Sequence, residues 1–143
     1  MRIYMAGPLF TAGEKWFNDM LAAALRLYHY EVFLPQEEQS ENAKEIFYSD
    51  VEGLRNADVV VTCIDGPDVD SGTAWEIGFA YATAIPVITY KTDFRELSDK
   101  GSYANLMIAQ SSRHHVDAAA PGYEMIEDLA NKLATEIKSR ALV

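Results

Sequence analysis

The sequence predicts an α/β domain in which a doubly wound, five-stranded and mainly parallel sheet lies between helices, a flavodoxin-like (Rossmann-like) three-layer sandwich. One observation predicts this class, and a second predicts a single domain. Short apolar segments typical of buried strands alternate along the chain with segments whose apolar residues recur at helical spacing. In addition, no linker, internal repeat or low-complexity tract interrupts the 143 residues. We therefore expect one domain over 1–143, which is long enough to bury its own core.

The first three elements are a strand, a helix and a second strand. Residues 2–6 are apolar and stop at a Gly-Pro pair, which is typical of a buried strand that ends in a turn. Apolar residues then recur at helical spacing over 13–30 and predict the first helix. A short strand is predicted over 31–34, where a proline ends it.

A polar loop leads from there into the second helix. Ser40 is a suitable N-cap for a helix over 41–55, because its hydroxyl can accept a hydrogen bond from the first turn. The apolar residues of this helix are expected to face the core, and they are Ile46, Phe47, Val51 and Leu54. The following run over 59–64 is apolar throughout, the pattern of a strand covered on both faces.

The second half of the chain continues the alternation. A helix is predicted over 72–84 and a fourth strand over 86–90. A short helix over 103–110 and a weak fifth strand at His115-Val116 follow. A terminal helix with one apolar face is predicted over 122–140.

The topology predicts where a ligand binds. Right-handed crossovers between successive strands give a parallel sheet in which the first and third strands are neighbours. Ligands bind such sheets beyond the carboxyl ends of the strands, at the point where the strand order reverses. We therefore expect the chemistry just after residues 4–6 and just after Ile64.

Charge narrows the classes of partner. Lysine and arginine total 12 and aspartate and glutamate total 22, so that the formal net charge is −10. Such a surface repels phosphate backbones, and nucleic-acid binding is therefore not expected. The same charge disfavours anionic substrates and is compatible with a neutral one.

Neither a leader nor a membrane anchor is expected. The apolar N-terminal segment is too short and is broken too soon, at Gly7-Pro8, for a signal peptide. No apolar stretch approaches the ~20 residues that a membrane span needs. The single cysteine, Cys63, lies in an apolar run, where packing in the core is its usual role, and it has no partner for an internal disulfide. A reducing cytoplasm is the expected location.

Several ligand motifs are absent from the sequence. There is no G-x-G-x-x-G, no G-x-x-x-x-G-K-[ST] and no G-x-S-x-G. The adjacent histidines His114-His115 would face opposite sides of a strand and are poorly placed to bind one metal ion. We expect no metal site and no organic cofactor.

The most informative segment runs from an acidic loop into the third helix. Asp70 closes the loop and Glu76 lies about one turn into the helix, so that both carboxylates can border one cavity. The helix N-terminus favours an ionised, nucleophilic Glu76, while crowding by other aspartates favours a protonated Asp70. One ionised and one protonated carboxyl group cleave glycosidic bonds with retention. The alternative is structural, since acidic residues at a helix start cap the helix and complement its dipole.

Two further candidates lie on neighbouring elements. Tyr4 is near the end of the first strand, where its phenol can hydrogen-bond the Glu76 carboxylate. The alternative is a buried tyrosine with another partner. Asp50 lies in the middle of the amphipathic second helix, where an exposed aspartate is the usual interpretation.

From Arg2 to about Ala109 the sequence resembles the nucleoside 2-deoxyribosyltransferase family. The segment Ile3-Tyr4-Met5-Ala6-Gly7-Pro8-Leu9-Phe10 resembles the first strand and pocket turn of that family. The stretch over 50–80 resembles its catalytic core, with a helix aspartate, a loop aspartate and a glutamate at similar spacing.

The resemblance implies roles for these residues. Glu76 would be the nucleophile and Tyr4 would hold it, while Asp50 and Asp70 would contact the base and serve in proton transfer. The remaining substrate-binding candidates in these two motifs are Gly7, Phe10 and Gly72.

A third motif, Asn105-Leu106-Met107, resembles the family's Asn-x-Met. In the family, Asn105 and Met107 would reach the 5′-hydroxyl end of the sugar, often in the site of a neighbouring subunit. The resemblance therefore implies a homo-oligomer with shared active sites. After the second strand, Gln36 and Gln39 both match the family's base-contacting glutamine, and the sequence leaves both open.

The resemblance implies the exchange of the base of 2′-deoxynucleosides through a covalent deoxyribosyl-glutamate, with nucleosides and free nucleobases as partners. The nearest rival is a nucleoside 5′-monophosphate N-glycosidase, the hydrolytic branch of the superfamily. That branch typically has serine in place of Asn105 and a Ser/Gly-rich first turn in place of Pro8-Leu9-Phe10. A rival of another class is a non-catalytic nucleotide-binding module on the same fold, which needs no pair of carboxylates.

Overall fold

The computed structural model describes residues 1–93, 104–118 and 124–140. Strands and helices alternate along it, as predicted. The elements are β1 (Arg2–Ala6), α1 (Ala12–Leu27), β2 (Glu31–Phe33), a 3-10 turn (Pro35–Glu37), α2 (Ala43–Arg55), β3 (Val59–Cys63), α3 (Ser71–Ala82), β4 (Val87–Lys91), α4 (Leu106–Ser111), β5 (His114–Asp117) and α5 (Glu124–Arg140). The starts predicted for the last two helices, at Tyr103 and Gly122, lie outside the described residues.

The five strands form one sheet in the order β2-β1-β3-β4-β5. All four strand pairs are parallel, and β1 and β3 are neighbours with Ile3 opposite Val59. The doubly wound α/β class is therefore confirmed. The strand order reverses beside β1, so that the carboxyl ends of β1 and β3 border the crevice where such folds bind ligands.

Side chains of β1 alternate between two hydrophobic cores, because successive residues of a strand point to opposite faces of the sheet. Ile3 and Met5 join a core formed with α1 and α5, which includes Leu21 and Leu133. Tyr4 joins the other core, with residues from the helices on the opposite face, which are Leu54, Ile77, Ala80 and Ile108. The register of β1 thus places Tyr4 on the same face as α2 and α3.

The second helix differs in two ways from its prediction. Its N-cap is Asn42, whose Oδ1 accepts a hydrogen bond of 3.0 Å from the backbone of Lys44, whereas Ser40 bonds to the Asn42 backbone and to Glu45. The prediction that Phe47 faces the core is wrong, since Phe47 is 51% exposed. Its ring packs instead on other aromatic rings at the surface.

No helix within the described ranges has the length and apolar character that crossing a membrane requires.

Candidate active site

A cavity of about 370 Å³ lies beyond the carboxyl ends of β1 and β3. It is bounded by two turns, which we name the β1 turn (residues 7–10) and the β2 turn (residues 35–38), and by α2 and α3. The lining residues are Gly7, Leu9, Phe10, Lys15, Pro35, Gln36, Glu38, Ile46, Asp50, Asp70, Gly72, Thr73 and Glu76. The predicted location of a ligand site is thus occupied by a cavity, and seven of the predicted site residues line it.

Tyr4 and Glu76 meet at the base of this cavity. The Tyr4 hydroxyl donates a hydrogen bond of 2.6 Å to Oε1 of Glu76. Tyr4 is fully buried and its ring stacks on Phe33 with 5.2 Å between centroids. Burial and the Glu76 charge raise the pKa of Tyr4, so that the phenol keeps its proton and acts as the donor. The predicted partnership of these two residues agrees with this geometry.

The Glu76 carboxyl is less acidic than its place in a helix suggests. Its pKa is raised to about 7, because burial and the charges of Asp50 and Asp70 together outweigh the Tyr4 hydrogen bond, which lowers the pKa. The helix N-terminus has little influence, because α3 begins at Ser71 and Glu76 lies beyond its first turn. The expectation that this terminus keeps Glu76 ionised is therefore wrong, and burial decides the protonation state near neutral pH.

Asp50 also faces the cavity, contrary to the interpretation of an exposed helix residue. Burial, and to a lesser extent the nearby Glu38 charge, raise its pKa to about 6. Its Oδ1 is buried and has no hydrogen-bond partner among the described residues. A buried, unpartnered carboxyl oxygen is costly unless it is protonated or meets a ligand, so Asp50 is suited to exchange a proton with one.

Asp70 has a structural task. Its Oδ2 accepts hydrogen bonds from the backbone of Thr73 at 3.1 Å and from the Thr73 hydroxyl at 3.3 Å, which makes it the N-cap of α3. A side chain at Gly72 would come within 3.2 Å of the same carboxylate. Asp70 therefore borders the cavity as a hydrogen-bond acceptor that the helix holds in place. It is both the N-cap of α3, which is the structural alternative that the sequence allowed, and a residue of the candidate site.

The β1 turn is held from both sides. A Cβ atom at Gly7 would lie 3.0 Å from the Cβ of Cys63, so that only glycine lets this turn approach β3 so closely. On the other side, Glu14 Oε2 accepts hydrogen bonds from the backbone of Phe10 and Thr11, at 2.9 and 2.7 Å, within a capping box of α1. Phe10 itself is 73% exposed and lies at the rim of the cavity.

Of the two glutamines that the sequence left open, Gln36 lines the cavity. Gln39 is exposed and is not among the lining residues. Gln36 is already engaged within the chain, since its Nε2 donates to the backbone carbonyl of Lys15 at 2.8 Å and to Asp19 at 2.6 Å.

Asn105 and Met107 do not line this cavity. Oδ1 of Asn105 accepts a hydrogen bond of 2.9 Å from the backbone of Met107 and caps α4. Leu106 and Met107 are 70% and 72% exposed. The third motif thus leaves two apolar side chains exposed on α4, and none of its residues lines the cavity of its own chain.

Two charged lining residues were missed at the level of sequence. Glu38 enters the site because the 3-10 turn after β2 directs the chain back past Asp50, and no spacing rule marks such a turn. Lys15 lies on the first helix and is the single cation among the lining residues. A charged residue at the start of an exposed helical face gives no signal that distinguishes it from ordinary surface.

Comparisons with known proteins agree with this geometry. The sequence model described as nucleoside 2-deoxyribosyltransferase matches residues 3–107. No curated protein sequence matches the chain. Among solved structures, a conserved protein from Enterococcus faecalis V583 is 28% identical, with a TM-score of 0.74 and 98% of each chain covered.

Two similar structures carry an enzyme name. The 2-deoxyribosyltransferase from Bacillus psychrosaccharolyticus is 27% identical, with a TM-score of 0.68, 90% of this chain and 91% of that chain covered. The 2-desoxiribosyltransferase from Leishmania mexicana is 24% identical, with a TM-score of 0.64 over 75% of this chain and 84% of that one, and it supports the fold alone. Since the family match covers both motifs that meet at the cavity and extends to the third on α4, this chain belongs to the nucleoside 2-deoxyribosyltransferase family.

Proposed function

We propose that this protein is a nucleoside 2-deoxyribosyltransferase that exchanges the base of 2′-deoxynucleosides through a covalent intermediate on Glu76. The observation that carries the proposal is the 2.6 Å hydrogen bond from Tyr4 to Glu76 at the base of a cavity that Asp50 also lines. A buried carboxylate held by a phenol, next to a second carboxyl group with a raised pKa, is an arrangement for nucleophilic displacement at a glycosidic carbon.

In the first step the Glu76 carboxylate attacks C1′ of the sugar. The C1′–N bond breaks, its electron pair leaves with the base, and Asp50 donates a proton to the departing nitrogen. In the second step a nitrogen of an acceptor base attacks C1′, the ester bond returns its electron pair to Glu76, and Asp50 takes up the proton that the acceptor loses. Each displacement inverts C1′, so that the product retains the configuration of the substrate.

Asp50 suits proton transfer better than Asp70. The Oδ2 of Asp70 is committed to capping α3, whereas Oδ1 of Asp50 is buried without a partner. The raised pKa of Asp50, about 6, keeps a protonated fraction available near neutral pH. Tyr4 has a holding role, because its hydrogen bond to Oε1 of Glu76 leaves the other carboxylate oxygen for attack.

The charge of the cavity favours an uncharged nucleoside. Four carboxyl groups line it, those of Glu38, Asp50, Asp70 and Glu76, against a single cation, that of Lys15. A 5′-phosphate would be repelled by this set, which argues against the hydrolysis of nucleoside 5′-monophosphates.

We infer also that the active form is a homo-oligomer in which a second copy completes each site. Asn105 and Met107 are exposed and do not line the cavity of their own chain, and a neighbouring copy would bring them to the sugar end of the site. The exposed apolar side chains of α4 would be covered by such an interface.

The direct test is an exchange assay. The purified protein is incubated with 2′-deoxyinosine or 2′-deoxyadenosine, with and without a second free base, and the products are separated by chromatography. We expect a new deoxynucleoside only when the acceptor base is present, and none from the Glu76→Ala variant. Free base alone, or turnover of the 5′-monophosphate alone, would move the protein to the hydrolytic branch. Ligand binding without turnover would favour a binding module.

A further inference from the structure

A chain of side-chain amides connects the two turns that bound the cavity. Asn18 lies on α1 and is only 7% exposed. Its Nδ2 donates one hydrogen bond to the backbone carbonyl of Pro8 and one to Oε1 of Gln36, each of 3.0 Å. Nε2 of Gln36 in turn donates to the Lys15 carbonyl and to Asp19. The network therefore extends from the β1 turn through α1 to the β2 turn.

The hydrogen-bond inventory fixes the orientation of both amides. A primary amide has two N–H groups, and Asn18 and Gln36 each use both of theirs inside the network. Reversing the Gln36 amide would bring its oxygen against the Lys15 carbonyl and the Asp19 carboxylate. Gln36 consequently has no donor left for a ligand, although it lines the cavity.

The network acts where the sheet no longer holds the two turns together. The pairing of β1 with β2 ends at Tyr4 and Phe33, before either turn begins. The β1 turn contributes Phe10 and the β2 turn contributes Glu38 to the cavity lining. Asn18 is not among the lining residues, so that any effect it has on a ligand passes through Pro8 and Gln36.

We propose that Asn18 is a positioning residue that sets the separation of the β1 and β2 turns, and with it the fit of the cavity to a planar nucleobase. This inference rests on the proposed function, since it assigns the base to the region between these turns. Gln36 belongs to the same hydrogen-bond network, which we name the brace, and acts as a spacer between Asn18 and the β2 turn.

The test uses Asn18→Leu, which keeps the approximate volume and removes both donors. We expect KM for the donor nucleoside to rise by roughly tenfold while kcat changes by less than about twofold, because the turns move and Glu76 does not. Tyr30→Phe is the matched control: it removes a 3.4 Å hydrogen bond from the Tyr30 hydroxyl to the Ala134 carbonyl, away from the cavity. The control should leave KM unchanged even if both variants melt at a lower temperature.

A double-variant cycle tests whether the two amides form one unit. If Asn18 acts through Gln36, adding Asn18→Leu to Gln36→Leu should raise KM by no more than about twofold beyond the Gln36→Leu value. A KM equal to the product of the two separate effects would overturn the brace, because the residues would then act independently.

A readout without turnover separates this inference from the proposed function. In ¹⁵N–¹H spectra of the full chain, the side-chain NH₂ signals of Asn18 and Gln36 should exchange slowly with solvent. In Asn18→Leu the Gln36 signal should exchange at least about tenfold faster. If Asn18→Leu leaves the hydrogen exchange of the Gln36 amide unchanged, the brace is overturned even in an active enzyme. If hydrogen exchange of the Gln36 amide becomes faster while KM stays the same, the positioning role is refuted. If the wild-type amides are protected but the protein does not transfer the sugar between bases, the proposed function is refuted instead.

Discussion

The phenol of Tyr4 and the carboxylate of Glu76 are joined by a 2.6 Å hydrogen bond that connects the first strand of the sheet to α3. Tyr4 is fully buried, so that its position is set by the packing of the sheet. The hydrogen bond favours the ionised form of Glu76 against the burial that disfavours it. The reactivity of the proposed nucleophile is therefore adjusted by a residue 72 positions away in the sequence.

The first prediction concerns this hydrogen bond. Tyr4→Phe removes the donor and should raise the pKa of Glu76 further above 7, since burial then acts without opposition. The acid limb of kcat/KM should move to higher pH, and kcat/KM at pH 6 should fall by about tenfold, the effect of losing one hydrogen bond to a charged group. A pH profile of exchange measures both. The Tyr30→Phe control should keep the wild-type profile, and an unshifted acid limb in Tyr4→Phe would contradict the role of the phenol.

The second prediction links Glu76 to stability. Its folded pKa of about 7 exceeds the ordinary 4.5, so that the folded state holds more protons than the unfolded state between these values. Stability from this group is fully present below pH 4.5 and is lost as the pH rises through 7. Glu76→Gln should therefore be more stable than wild type at pH 8, by on the order of 1–3 kcal/mol, and nearly equal to it at pH 4.5.

Urea unfolding at the two pH values measures this difference. The exposed Glu127 on α5 provides a control, because Glu127→Gln should leave stability nearly unchanged at both. An equal free energy of unfolding of Glu76→Gln and wild type at pH 8 would show that the buried, ionised Glu76 carboxylate does not destabilise the folded state.

The third prediction separates the two aspartates. Asp50→Asn removes the proposed proton donor and should lower the exchange rate by roughly 10²- to 10⁴-fold. Asp70→Asn keeps an oxygen that can accept from Thr73, and we expect a loss of less than about tenfold. A 2-deoxyriboside with a nitrophenolate leaving group, which departs without a proton, should restore much of the Asp50→Asn rate for formation of the glycosyl-enzyme. A larger loss from Asp70→Asn, with the same rescue, would transfer the role of proton donor to Asp70.

The fourth prediction concerns shared sites. Glu76→Ala and Asn105→Ala should each be inactive alone if every site needs Glu76 from one copy and Asn105 from another. Unfolded together in equal amounts and refolded, the two variants should recover about a quarter of wild-type activity in a dimer, since half of the dimers are mixed and each has one intact site. No recovery, in a mixture shown to contain mixed oligomers, would place both residues in the site of one chain.

The sequence predicts the sheet well because burial on both faces leaves a local signature. The apolar run ending at Cys63 and the short β1 segment are recognisable without any tertiary information, and their adjacency follows from crossover handedness. Which apolar residues of α2 are buried is harder to predict, because a residue such as Phe47 fits the apolar face of a helix whether or not a neighbouring element covers it. Ser40 and Asn42 are both good caps, and only the path of the loop decides between them.

Within the site, the sequence identifies the residues that regular elements place. Tyr4, Glu76 and Asp70 follow from a strand register and a helix start. Glu38 and Lys15 depend on how an irregular turn and an exposed helix face approach the cavity, which leaves no periodic trace. The burial of Asp50 depends likewise on the distance between α2 and α3, and its raised pKa becomes visible only in three dimensions.

Because successive side chains of β1 enter different cores, the direction of the Tyr4 phenol depends on the number of residues in that strand. Deleting Met5 would shift the residues before it by one position relative to the β1 turn, so that the phenol of Tyr4 would face the core of α1 and α5 and the Ile3 side chain would face Glu76 instead. An insertion or deletion within β1 is thus expected to be more harmful than one in an exposed loop, whereas a substitution leaves the register of the strand intact.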